Sequence, residues 1–279
     1  KGVVAWDFWE SLPLGRPHNY PPFIHILLAS FLQLGFSIQT SAKLIIEFVI
    51  VGGLIIYNLG ISRLFNVKYA LITTIILISS INFLSISATT LPATFVIFTT
   101  PAILHFALNK KWIALLSLLT MILYTHLFIP YFIIFSLFIF ILMYKPYLAR
   151  PYIKTVLIAV IIYIPWLWHI ILNGVQYIKY FDSNYSTGDN LKSYILINII
   201  ISILFLCSLI YLLINYKKDK KYFHPIVFFF IIILSILPTM IISPNRIIEG
   251  HIFALSSIPV AFIIIKFLQK NTILFIAWT

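Results

Sequence analysis

Long runs of Ile, Leu and Phe, cut at intervals by short clusters of Lys, Arg, Pro or Asn, decide what this chain can fold into. A helix needs about 20 apolar residues to cross a bilayer. The runs near 41–62, 69–87, 91–108, 112–126, 127–144, 154–172, 193–216, 224–243 and 252–269 therefore predict about nine spans. The breaks are too short for soluble domains, so the expected fold is all-α: one polytopic transmembrane helical bundle, with 1–279 as a single transmembrane domain. Hydrophobic residues are 62% of the 279 and charged residues 9%, a balance no water-soluble surface of this size sustains. Pro92, Pro130, Pro146, Pro151, Pro225 and Pro244 fall at or near predicted ends, where a missing amide costs least. Pro165, Pro238 and Pro259 fall inside runs and predict kinks.

Residues 21–36 break the pattern. The run from Pro21 to Gly35 reaches only about 22 Å as a helix, short of a hydrocarbon core of about 30 Å. It also carries His25, Ser30 and Gln33, so it is expected to lie at the interface, after an outer loop over 1–20 and before the spans of 41–269. With that choice the cations sort by side. Arg63, Lys68, Lys110, Lys111, Lys145, Arg150, Lys154, Lys217, Lys218, Lys220, Lys221, Lys266 and Lys270 share one face; Lys1, Arg16, Lys43, Lys179, Lys192 and Arg246 share the other. The richer face is cytoplasmic by the positive-inside rule. Asp7, Glu10, Asp182, Asp189 and Glu249 fall outside, Glu47 near the outer end of its span, and Asp219 inside. The formal net charge of +12 is then charge facing the cytoplasmic leaflet, which excludes nucleic acid as a partner and makes membrane lipids the expected one. The single cysteine, Cys207, lies in an apolar run and supports neither a disulfide framework nor a cysteine metal site. Lys1 at the start, and a last stretch that reads as the opening of another span, lead us to expect a piece of a longer protein. The localisation expected is the plasma membrane, with the polar loops on the non-cytoplasmic face.

That face gathers the chemistry: Asp7, Glu10, Arg16, His18, the turn Ser87–Pro92, His126, the loop 173–193 and the stretch Ser243–His251 with Arg246 and Glu249. An acid and an arginine across an outward cavity suit group transfer from a lipid phosphate. The carboxylate of Asp7, with Glu10 as second candidate, can take a proton from an acceptor hydroxyl. The guanidinium of Arg246 can hold the departing phosphate. Both have plainer readings: the acids as solvated loop residues, and Arg246 as a structural partner of Glu249. His126 reads as a lining residue of the outer cavity. Paired histidines could ligate haem, but His105 falls near the cytoplasmic end of its helix and His126 and His251 near the outer one. Lys43 and Glu47, spaced i,i+4, read as a structural ion pair. Asn184-Tyr185-Ser186 matches a glycan acceptor pattern. No cofactor is expected; a divalent metal is compatible but nothing indicates one.

Trp6-Asp7-Phe8-Trp9-Glu10, then Leu14-Gly15-Arg16-Pro17-His18-Asn19-Tyr20-Pro21-Pro22-Phe23-Ile24-His25, resembles the first outer loop of the GT-C glycosyltransferase superfamily. The likeness is to prokaryotic, particularly archaeal, relatives of the protein O-mannosyltransferases and lipid A aminoarabinose transferases. In that superfamily an acidic outer loop follows a first span, and a Pro-Pro-aliphatic turn opens a membrane-parallel helix. The resemblance implies that a span precedes Lys1 and that Asp7 matches the catalytic loop acid, with Glu10 second. Arg246 would be similar to the arginine on the donor's lipid phosphate, and Arg16, His18, His126 and Glu249 would line the substrate site. It implies a polyprenyl-phosphate-linked sugar as donor, an outer-face acceptor and inversion at the anomeric carbon. The Ser87–Pro92 turn lacks the second acid of many members, and no soluble domain follows the spans. These departures motivate the alternative: a non-catalytic GT-C-like integral membrane subunit, with other membrane subunits as partners.

Overall fold

The computed structural model describes residues 6–7, 16–17, 21–79, 91–178, 191–215, 219–242 and 246–270. Within them the chain is helical, as expected, apart from one short ladder in which β1 (Trp6–Asp7) runs antiparallel to β2 (Arg16–Pro17). Helix α1 (Phe23–Gln33) has 11 residues, about 16 Å of rise, which keeps it too short to cross a bilayer. Gly35 then takes φ 90°, a left-handed conformation that glycine adopts without penalty. The chain re-enters helix at Ser37, whose hydroxyl accepts from the Thr40 amide. From there α2 (Ile38–Glu47), a π turn (Phe48–Gly52) and α3 (Gly53–Leu64) make one continuous rod of 27 residues. Asn66 caps α4 (Val67–Ile78) through the Tyr69 amide. Then come α5 (Leu91–Leu108), α6 (Trp112–Leu123), α7 (Ile129–Tyr144), a 3-10 turn (Pro146–Leu148) and α8 (Ala149–Ile178). The last helices are α9 (Leu191–Ile214), α10 (Lys220–Ile242) and α11 (Arg246–Lys270).

Every expected run thus carries a helix, but the lengths are unequal. Ile38–Leu64 and Pro146–His169 are long and apolar enough to cross a membrane, whereas α4, α5, α6 and α7 have 12, 18, 12 and 16 residues. Helix α6 stops at Leu123, so its 12 residues rise only about 18 Å, and the run expected to stay helical to 126 leaves the helix at Tyr124. Lys43 and Glu47 are both exposed on α2 and form no ion pair, contrary to the expectation from their spacing. Their carboxylate and ammonium gain too little in solvent to hold two long side chains together. An ion pair does join Asp219, ahead of α10, to Lys266 near the end of α11, and the Lys266 ammonium also sits over the Tyr222 and Phe262 rings.

Backbone closeness organises the core. Helices α3 and α5 run side by side, with Gly60 against the Ala102 amide and Pro101, and Gly53 against the Phe98 ring. Small residues at such a contact let two helices approach without side chains between them. Tyr57 of α3 and Tyr69 of α4 reach across to α11 and donate to the carbonyls of Ala254 and Ile258, both upstream of Pro259. Tyr57 also meets Ser257 at 2.8 Å. These buried hydroxyls are satisfied within a helix that proline deprives of one amide. Helices α7 and α10 pack antiparallel through Ser136–Ser235, Phe140–Phe228 and Tyr144–His224.

The contacts sort the turns into two ends. Phe23 donates its amide to the Tyr124 carbonyl, so α1 begins beside the turn between α6 and α7. The antiparallel packing of α7 and α10 brings the close of α10 and the start of α11 to that same end. At the opposite end lie the α3–α4, α5–α6 and α7–α8 turns, with Arg63, Lys68, Lys110, Lys111, Lys145 and Arg150, together with the Asp219–Lys266 pair. Between the ends the outer surface is apolar. Phe48, Val51, Ile55 and Leu59 form one exposed stripe, and Leu157, Ile161, Ile164 and Trp168 another.

Candidate functional site

The acidic loop is held by a register. Asp7 is the cross-strand partner of Arg16, and Trp6 of Pro17, so the backbone register pairs the first acid and the first arginine of the chain, nine residues apart in sequence. Strand β2 lies against α8. The side chains of Asp7 and Arg16 lie outside the described residues, as do Glu10 and His18 entirely. Arg246 and Glu249 occupy the first turn of α11, at the same end of the molecule as the hairpin's anchor; their side chains, and that of His251, also lie outside the described residues. Residues 87–90 of the Ser87–Pro92 turn, the 179–190 loop with Asp182, Asp189 and Asn184, and Ser243–Asn245 are likewise outside them.

His126 is placed, and the contacts described for it are with backbone amides. Its Nδ1 accepts from the amides of Phe128 at 3.1 Å and Ile129 at 3.3 Å, which makes the imidazole a cap on the first turn of α7. Burial pushes its pKa down to about 4. The two amides favour the same outcome, because a protonated Nδ1 could not accept from them.

Around this cap stands a group of aromatics. The Tyr124 hydroxyl donates to the Ile162 carbonyl at 2.7 Å, and its ring meets that of Tyr163 edge-on at 5.3 Å. Tyr131 donates to Tyr163, and Trp166 stacks on His169 with centroids 4.7 Å apart. Their signal was periodic: Tyr163, Trp166 and His169 recur every three residues along α8, and Thr120 and Tyr124 stand one turn apart at the end of α6. Beside them Phe23, Ile26, Leu116, Thr120, Met121, Tyr124 and Ile162 line a groove of about 510 Å³. The Thr120 hydroxyl is buried there and makes no hydrogen bond. The arrangement can do two things chemically: take up an apolar chain between α1, α6 and α8, and hold an acid and an arginine opposite each other a few residues upstream. Among the described residues no group of three or more His, Cys, Asp or Glu gathers to hold a metal.

Compared with protein-family models, curated proteins and solved structures, the chain finds no match.

Proposed function

We propose that this chain is a membrane-embedded glycosyltransferase of the GT-C type, moving a sugar from a polyprenyl-phosphate donor to an acceptor at the outer face. The observation that carries the reading is the Asp7–Arg16 register, anchored next to an apolar groove at the end of the bundle opposite its cations. The chain from Pro17 to Phe23 at the groove is short enough that, even extended, it keeps the pair within about 20 Å of it. That is the reach of a lipid phosphate whose tail lies in the groove.

In this reading the Asp7 carboxylate takes the proton of the acceptor hydroxyl as its oxygen bonds to the anomeric carbon. The bond from that carbon to the phosphate oxygen breaks, and polyprenyl phosphate leaves with the electron pair. Arg246, with Arg16, neutralises the departing oxyanion, and attack from the face opposite the phosphate inverts the centre. The membrane location is supported by the two long apolar helices and by exposed Ile, Leu, Phe and Val in helical stripes. Water would penalise such faces and lipid would not. Asp7→Asn in membranes supplied with a lipid-linked sugar is expected to lower transfer by at least about 100-fold while leaving donor binding in place. Full transfer by that variant would remove Asp7 as the base.

A non-catalytic membrane subunit is the competing reading, and one observation favours it: the His126 Nδ1 is engaged in capping α7 rather than offered to a ligand.

A further inference from the structure

A second hollow lies at the cation-rich end, away from the groove and the hairpin. Its volume is about 610 Å³, it opens between α3, α5 and α6, and Arg63, His105, Asn109 and Lys111 line its polar side. Leu59, one turn before Arg63 on α3, and Leu118, two turns beyond Lys111 on α6, line its apolar part. Among the described residues no carboxylate lines it; the acid described at this end, Asp219, is bound to Lys266.

Local structure aims these groups. Helix α5 ends in a reversed turn in which Lys111 donates its amide to the Phe106 carbonyl and Lys110 to that of Ala107. This turn ends α5 and brings Lys111 to the hollow's edge. Asn109 donates to the His105 carbonyl at 2.8 Å and approaches Nδ1 at 3.2 Å. With Nδ1 accepting, the ring proton sits on Nε2 as a donor. A guanidinium, an ammonium, an imidazole and an amide thus line a hollow whose remainder is apolar. That remainder is continuous with the exposed stripe of α3, where Leu59 is 55% exposed.

We infer that this hollow binds the phosphate headgroup of an anionic membrane lipid, with the phosphate on Arg63 and Lys111 and the upper acyl chain along Leu59 and Leu118. The charge calls for an anion, and the apolar wall favours a lipid over a free phosphate ion. The inference rests on the membrane reading but not on the transferase reading, since the site lies at the other end of the bundle.

The test uses the full chain reconstituted in dioleoylphosphatidylcholine vesicles containing a trace of spin-labelled phosphatidic acid or spin-labelled phosphatidylcholine. The immobilised fraction of each lipid is read by electron paramagnetic resonance. A cation in direct contact with the phosphate is worth roughly a fivefold preference or more. Arg63→Gln with Lys111→Gln should therefore cut selectivity for phosphatidic acid by on the order of 10- to 30-fold. Lys154→Gln, a cation at the same end outside the hollow, should leave it unchanged. Equal loss in Lys154→Gln would mean general surface charge and overturn the site. So would equal immobilisation of the two lipids by the unaltered chain. Displacement of phosphatidic acid by millimolar inorganic phosphate would make it a phosphate-ion site instead. Immobilisation of neither lipid would overturn the membrane reading and the site with it.

Discussion

His126 ties a protonation state to a helix start. Its imidazole is neutral when it accepts the Phe128 and Ile129 amides, and burial keeps its pKa near 4 against an ordinary 6.5. The unfolded chain therefore takes up this proton first as pH falls. The stabilisation is complete above about pH 6.5 and drains away toward pH 4, by about 2 to 3 kcal/mol at most. The melting temperature of the detergent-solubilised protein should fall between pH 7 and pH 4.5, and His126→Asn, which keeps an acceptor but does not titrate, should flatten that fall. The same slope in both proteins would remove His126 as its source. Lys110 shows the opposite economy. It holds φ 59°, a conformation that disfavours side chains, in the turn where its amide donates to the Ala107 carbonyl, and its ammonium sits 5.4 Å from the centre of the Tyr147 ring.

Helix pairs carry the next level. A methyl group at Gly60 would stand 2.7 Å from the Ala102 amide nitrogen and 2.9 Å from the Pro101 Cβ, neither of which can swing aside. At Gly53 the obstacle is the Phe98 ring edge, which can rotate. Gly60→Val should therefore part α3 from α5 at a cost of about 1–3 kcal/mol or more, and Gly53→Ala should cost less. Thermal unfolding in detergent checks the order; a Gly60→Val protein as stable as the unaltered one would contradict the close approach. Sequence reading located these helices because hydropathy and Pro, Lys and Asn breaks are local signals. It carried α6 past its end because Leu127 and Phe128 continue the apolar run through a turn, and hydropathy cannot see that Tyr124 and His126 have left the helix. The Asp7–Arg16 register and the grip of Tyr57 and Tyr69 on α11 were equally hidden, since each joins residues that only the folded chain brings together. Of the site, the residue types in the loop were legible, and their cross-strand pairing was not.

At the scale of the whole molecule the two ends differ in kind. One gathers Arg63, Lys68, Lys110 and Lys111; the other holds the hairpin's anchor, the His126 turn and the start of α11. If the cation-rich end is cytoplasmic, as the positive-inside rule requires, the ends will be told apart by a reagent that cannot cross the bilayer. In a Cys207→Ser background, Phe128→Cys should react with an impermeant maleimide in intact cells, and Lys68→Cys only after permeabilisation. The reverse pattern would invert the molecule and move the proposed chemistry to the cytoplasm. Helix α6 gives that two-ended plan a mechanical consequence. Its 12 residues stand between the groove at one end and the hollow at the other, both of which it lines. A lipid leaflet meeting this short rod must dimple to match it, at a fraction of a kcal/mol per ångström of mismatch. The membrane should therefore be thinnest beside α6, where a polar headgroup has the least oil to cross and where lipids would be drawn to gather.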